Sequence, residues 1–145
     1  MKNTISTNLK SLRKRSNYTQ EQIAEKLNVS RQVVAKWEKG DSMPDILYCS
    51  ELAKLYNVAL DDLVTYSSEE TGVDVPPKGK YMFGIVTVSE RGQIVIPKKA
   101  REVFKIEPGT QLIIVGDDER GLAIVPQQYM KPFFQQAFSG EEEDK

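Results

Sequence analysis

Apolar residues recur along this chain with two different periods. Between Thr4 and Ser16, Ile5, Leu9 and Leu12 fall at i, i+4 and i+7, the stripe of an amphipathic helix. Thr19, followed three residues later by Gln22, forms a capping box that opens a second helix, Gln20 to Leu27, with Ile23, Ala24 and Leu27 inward. Asn28 stands where the chain must turn sharply, and Asn readily takes a positive φ. Ser30 suits the N-cap of a third helix, Arg31 to Lys39, on which Val34 and Trp37 share a face and which Gly40 ends. Pro44 pre-sets the first turn of a fourth helix reaching about Tyr56, with Ile46, Leu52 and Ala53 inward. A short fifth helix, Leu60 to Val64, has Asp61 and Asp62 in its first turn, favourable to the dipole, behind a poor cap at Ala59.

Beyond residue 80 the period becomes that of strands. Ile85 to Val88 and Gln93 to Ile96 are β-branched runs flanking the turn Ser89-Glu90-Arg91-Gly92. Pro97 opens a short helix, Lys98 to Phe104, with Ala100, Val103 and Phe104 on its apolar side. After a turn at Pro108-Gly109, Leu112 to Val115 and Leu122 to Val125 form a second strand pair. Four strands and one short helix make a unit of only ~50 residues, apolar on both strand faces, which needs a partner to complete its core. Between the two patterns, residues 67–79 show no sustained period and carry Pro76-Pro77. They read as a flexible linker with a reach of about 20 Å.

Two helices of eight or nine residues joined by a tight turn, with Ala24 at the fifth position of the first, make a helix-turn-helix signature. A larger side chain at Ala24 would hold the helices apart. The run from Thr19-Gln20-Glu21-Gln22-Ile23-Ala24 through Val34-Ala35-Lys36-Trp37-Glu38-Lys39-Gly40 resembles the phage-repressor (Xre-like) family of five-helix DNA-binding domains, over residues 4–66. Asn28 replaces that family's usual glycine. The resemblance implies a phosphate-clamping role for Gln20, where a helix N-terminus favours an anion in any case. It makes the third helix the recognition helix, with Ser30, Arg31, Gln32, Val33, Ala35 and Lys36 outward in the major groove and Lys39 near phosphate. Arginine can pair bidentately with guanine, glutamine with adenine, and Val33 can touch a thymine methyl. Arg13 and Glu38 match a structural pair of the family that fixes the recognition helix.

The stretch Gly84-Ile85-Val86-Thr87-Val88-Ser89-Glu90-Arg91-Gly92-Gln93-Ile94-Val95-Ile96-Pro97-Lys98-Lys99-Ala100-Arg101 looks like the swapped-hairpin (AbrB/MazE/SpoVT) family, over residues 80–126. Members interleave two chains into one barrel. The resemblance offers Arg91, Lys98, Lys99 and Arg101 as a second DNA contact, although Gln93 stands where the AbrB type commonly has arginine. The implied fold class is α+β, with a lambda-repressor-like domain at 1–66, a linker at 67–79, a dimerising barrel domain at 80–126 and a tail at 127–145. Tail residues Tyr129, Met130, Phe133, Phe134 and Phe138 precede the acidic Glu141 to Asp144. They fit a terminal helix packed back on the barrel or, in antitoxins of the family, a segment that folds onto a toxin.

Composition narrows the chemistry. With no histidine and one cysteine in 145 residues, zinc sites, disulfide frameworks and histidine acid–base catalysis are excluded, and no phosphate loop or nucleophile elbow is present. No enzyme, metal or cofactor is expected. Cys49 reads as a small core hydrophobe. No apolar run approaches the ~20 residues of a membrane helix, and Met1-Lys2-Asn3-Thr4 does not begin a signal peptide, so a cytoplasmic, nucleoid-associated address is expected. The net charge of −1 conceals its distribution: residues 1–66 hold ten basic and eight acidic side chains, and residues 79–130 seven and six. The expected protein is a sequence-specific, DNA-binding transcription regulator that works as a homodimer. The alternative is an antitoxin whose tail captures a protein.

Overall fold

The computed structural model describes residues 4–137. The chain divides into two units, one running to Ile85 and the other starting at Val86. The first contains α1 (Thr4–Arg15), α2 (Gln20–Leu27), α3 (Arg31–Lys39), α4 (Ile46–Tyr56), α5 (Leu60–Thr65) and the single turn α6 (Ser68–Thr71). Its core is built from one face of each longer helix: Ile5, Leu9 and Leu12 of α1, Ile23 and Ala24 of α2, Val34 and Trp37 of α3, Leu52 and Ala53 of α4, and Leu63 of α5. Asn8 is buried among them because its Nδ2 donates to the carbonyls of Leu63 (3.0 Å) and Tyr66 (2.8 Å), closing the end of α5.

Two expectations for this unit are corrected. Ile46 does not face inward; it is 67% exposed, with Leu47 beside it. Pro44 precedes the N-cap instead of opening the helix, and Asp45 caps it by accepting from the Tyr48 N–H at 2.9 Å. By spacing Ile46 belongs to the stripe of Cys49, Ala53 and Tyr56, but it is the first residue of α4, and the buried face begins one turn later at Cys49. Residues 67–79 are not a free linker either. Ser67 caps α6, Val75 is fully buried in the helical core, and Lys78 N–H donates to the Asn57 carbonyl at 2.9 Å.

The second unit holds α7 (Lys98–Val103), β1 (Leu112–Asp117), β2 (Gly121–Pro126), a 3-10 turn (Gln127–Tyr129) and α8 (Met130–Ala137). Strands β1 and β2 pair antiparallel, with Ile113 opposite Val125 and Ile114 opposite Ile124. Asp117 Oδ1 caps the intervening turn, accepting from the Glu119 and Arg120 N–H groups at 2.8 and 3.1 Å, and these bonds hold its carboxyl below the usual range. Register sorts the side chains: Ile113, Val115, Ala123 and Val125 lie on a covered face, while Ile114, Leu122 and Ile124 lie on an exposed one. Helix α8 packs against β2, and the Tyr129 ring meets Phe104 edge-on at 6.3 Å. Phe138 and the acidic residues Glu141 to Asp144 lie outside the described residues.

The expected first strand pair is present only as its turn. Gly92 N–H donates to the Ser89 carbonyl and Ser89 N–H to the Gln93 carbonyl, at 2.9 and 2.8 Å. The arms 85–88 and 93–96 form no ladder. They are apolar on both faces, and among the described residues no strand covers either.

Candidate nucleic-acid interface

Helices α2 and α3 meet at the angle set by a three-residue turn. Asn28 takes φ 56°, ψ 46°, and its N–H bonds back to the carbonyls of Ala24 and Glu25. Val29 N–H then donates to the Ala24 carbonyl at 3.0 Å, and Ser30 Oγ accepts from the Val33 N–H at 3.3 Å to start α3. The close approach requires a small side chain at Ala24, which is buried. Trp37 anchors the far end of α3, tilted at 49° against the Tyr48 ring with centroids 5.4 Å apart, and Gly40 closes the helix at φ 83°.

With Val34 and Trp37 inside, Arg31, Gln32, Lys36 and Lys39 are exposed on the opposite side. Ser30 is exposed too, but its oxygen already serves the cap. Val33 departs from expectation: it is half-buried and packs against the helical core, so little of it is offered outward. Three exposed cations and one amide on a single short helix form a strip suited to phosphates and base edges.

The position of that strip depends on one carboxylate. The Glu38 side chain is only 4% exposed; its Oε1 accepts from Arg13 Nε at 2.6 Å and its Oε2 from Gln20 Nε2 at 2.6 Å. Arg13 also donates from Nη1 to the Tyr18 carbonyl at 2.9 Å. Helices α1, α2 and α3 and the α1–α2 turn are thus joined at a single point. The pairing of Arg13 with Glu38 has the form expected from the sequence, but Gln20 was expected on a phosphate and instead spends one amide hydrogen on Glu38. Its second amide hydrogen remains at the N-terminus of α2, the end that attracts anions. Sequence reasoning missed this third member because Gln20 and Glu38 lie 18 positions apart and meet only through the turn at Asn28.

Two buried groups of the helical unit, Tyr56 beside this cluster and Cys49 on α4, are held neutral. Burial first, and the Glu38 charge second, push the Tyr56 hydroxyl well above its ordinary value of 10. Burial, then Asp45, raises the Cys49 thiol above 9.0. In the second unit Arg91, Lys98, Lys99 and Arg101 are all exposed. Lys98 lies 3.9 Å from Glu102, and Lys98 and Arg101 share a cleft with Glu102 and Glu107, whose carboxylates dilute the positive charge. Among the described residues no cluster of His, Cys, Asp and Glu could hold a metal, and no helix is long and apolar enough to cross a membrane.

The fold and strip define a helix-turn-helix domain followed by a small strand-pair domain. Residues 9–63 match the helix-turn-helix family model, and residues 85–131 match that of the antidote–toxin recognition protein MazE, a bacterial antitoxin. The HTH-type transcriptional activator BcrR of Enterococcus faecalis is 32% identical over 95 residues, covering 61% of this chain and 47% of BcrR. This chain therefore spans about half of that relative. An uncharacterized HTH-type transcriptional regulator of Bacillus subtilis, YgzD, is 36% identical over 69 residues, covering 48% of this chain and 98% of YgzD. A transcriptional regulator from Listeria innocua, solved by crystallography, aligns at 37% identity and a TM-score of 0.42, over 45% of this chain and 61% of that one. The chain belongs to the helix-turn-helix family of transcriptional regulators, here fused to a MazE-type domain.

Proposed function

We propose that the protein binds operator DNA as a homodimer, inserting the N-terminal half of α3 into the major groove of each half-site. The observation that carries this reading is the exposed strip Arg31, Gln32 and Lys36 on a helix whose other face is locked by Trp37 and Glu38. Arg31 and Gln32 read base edges, Lys36 and Lys39 neutralise phosphate, and Gln20 holds a phosphate with its remaining amide hydrogen. Ser30 positions the helix more than it reads sequence, and Val33 contributes at most an edge of its methyls. Sequence reading is assigned to α3 and not to Arg91, Lys98, Lys99 and Arg101, because Glu102 and Glu107 beside Lys98 and Arg101 weaken that group as an anion surface. The dimer is supported by the apolar side chains Val88, Val95, Ile114 and Leu122, each more than 60% exposed in one chain. Both relatives named above are regulators, which favours this reading over an antitoxin that captures a toxin with its tail.

Selection of bound fragments from random genomic DNA tests the assignment. The expected product is an inverted repeat. Arg31→Ala then relaxes preference at one position of each half-site, a loss of about 1–3 kcal/mol against the preferred base. Gln20→Ala weakens all sequences alike. Wild-type binding by both variants would remove α3 from the groove.

A further inference from the structure

The segment joining the two units is held along most of its length, and the DNA-reading role does not explain why. Past Tyr66, whose hydroxyl donates to the Val73 carbonyl at 2.9 Å, the chain turns through α6 and runs back beside α1. There Ser11 Oγ donates to Asp74 Oδ1 at 3.0 Å, and Arg15 Nη1 donates to the Val75 carbonyl at 2.7 Å while lying 3.5 Å from Asp74 Oδ2. Val75 is sealed in the helical core, and Met82 packs on that core further along. The second unit starts at Val86, so only residues 83–85 separate the last anchored side chain from it. A free segment of residues 67–85 could extend over about 60 Å, whereas three residues reach at most about 11 Å.

We propose that this strap determines which spacing between paired half-sites the protein accepts, with Arg15, Asp74, Val75 and Met82 as specificity-determining residues that act through tether length and touch no base. The inference rests on the two-headed reading above. Avidity is lost when a tether cannot span two sites and reaches 10²–10⁴ when it can. Moving one half-site by about 5 base pairs carries it to the opposite side of the duplex, where a three-residue connector cannot follow and a released strap can.

The test uses full-length protein and synthetic inverted repeats built from the selected operator, at its own spacing and with about 5 base pairs added. Three variants are compared: Val75→Ser combined with Met82→Ser, the milder Met82→Ser alone, and a six-residue Gly-Ser insertion after Phe83 as a positive control for reach. Affinity for a single half-site checks that each head is folded. The wild type is expected to lose about 30-fold or more on the shifted repeat, within the avidity range of such tethers. The insertion and the double variant are expected to lose less than about threefold, with Met82→Ser alone between. If the insertion flattens the spacing dependence while the strap variants keep that of the wild type, the strap proposal is overturned. Should the double variant not fold, Met82→Ser alone decides the matter in the same way. A wild type that binds single half-sites as tightly as paired ones overturns the two-headed reading first, and the strap with it.

Discussion

In the helical unit, Leu12, Ile23, Leu52 and Leu63 are almost wholly withdrawn from water, each at 1% exposure or less. In the C-terminal unit, among the described residues, only Ala100 and Val125 are buried, while Val95 and Leu122 stand 77% and 81% exposed. The two stretches are similarly apolar, so the difference lies in topology. Five helices can turn one stripe each toward a common centre within a single chain. One strand pair and the short helices α7 and α8 cannot, because the pair has two apolar faces of which the chain covers one, and residues 85–88 and 93–96 form no ladder. The helical unit encloses its core within one chain, whereas the described part of the C-terminal unit leaves most of its apolar side chains half-buried or exposed. On the proposed reading, the DNA-reading part is the one that completes its own core.

The most severe way to probe that contrast is to cut the chain after Ile85. The helical unit is expected to stay folded and monomeric while its affinity for a paired operator falls by about 10²–10⁴-fold, the avidity of the second head. A cut protein that remains dimeric and binds at full strength would show that the C-terminal unit does not join the chains. Cutting at residue 79 instead would also remove Met82 from the helical core, confusing two effects.

Matched core truncations sharpen the comparison. Leu12→Ala is expected to destabilise the helical unit by about 3–5 kcal/mol, whatever the protein concentration. Leu122→Ala, at a position exposed in one chain, should cost less than about 0.5 kcal/mol if the chain is complete alone. The expected result is instead a loss of about 2 kcal/mol or more, measured as a rise in the dimer dissociation constant. Chemical denaturation at two protein concentrations separates these outcomes.

A loss of about 3 kcal/mol is expected for Glu38→Gln, which leaves Arg13 without its carboxylate in a poorly hydrated site. DNA affinity should fall with it, because α3 loses its fixed position. Thermal unfolding unchanged from the wild type would mean that the cluster orients nothing.

The mildest effect concerns pH. Because the folded state raises Tyr56 above its ordinary 10, the folded chain holds that proton at pH values where the unfolded chain has released it. Its contribution is complete below about pH 10 and declines as pH rises further. Tyr56→Phe should therefore flatten the alkaline limb of a stability–pH curve above pH 10, and an unaltered limb would assign the decline to other groups, such as Cys49.

How much could be read before the fold was known differs between the same two regions. The capping box at Thr19 and Gln22, the left-handed turn at Asn28, the cap at Ser30 and the stop at Gly40 are local devices, each completed within four residues, and they placed α2 and α3 correctly. The exposed strip on α3 followed from the burial of Val34 and Trp37. Ile46 was misplaced because spacing alone puts it on the stripe of Cys49, Ala53 and Tyr56, and only the packed fold shows that the core stops short of the first turn of α4. Residues 67–79 looked like linker because their anchors, Val75 on the core and Asp74 between Ser11 and Arg15, belong to no repeating pattern.

The order of helices, the turn chemistry and the charges of α3 are written in near-neighbour residues, so the amino-acid string alone determined them. The joining of Gln20 to Glu38, the strap along α1, and the lack of a ladder between residues 85–88 and 93–96 were decided only by tertiary structure. The first two depend on residues distant in sequence, and which distant groups meet is settled by packing the whole chain together.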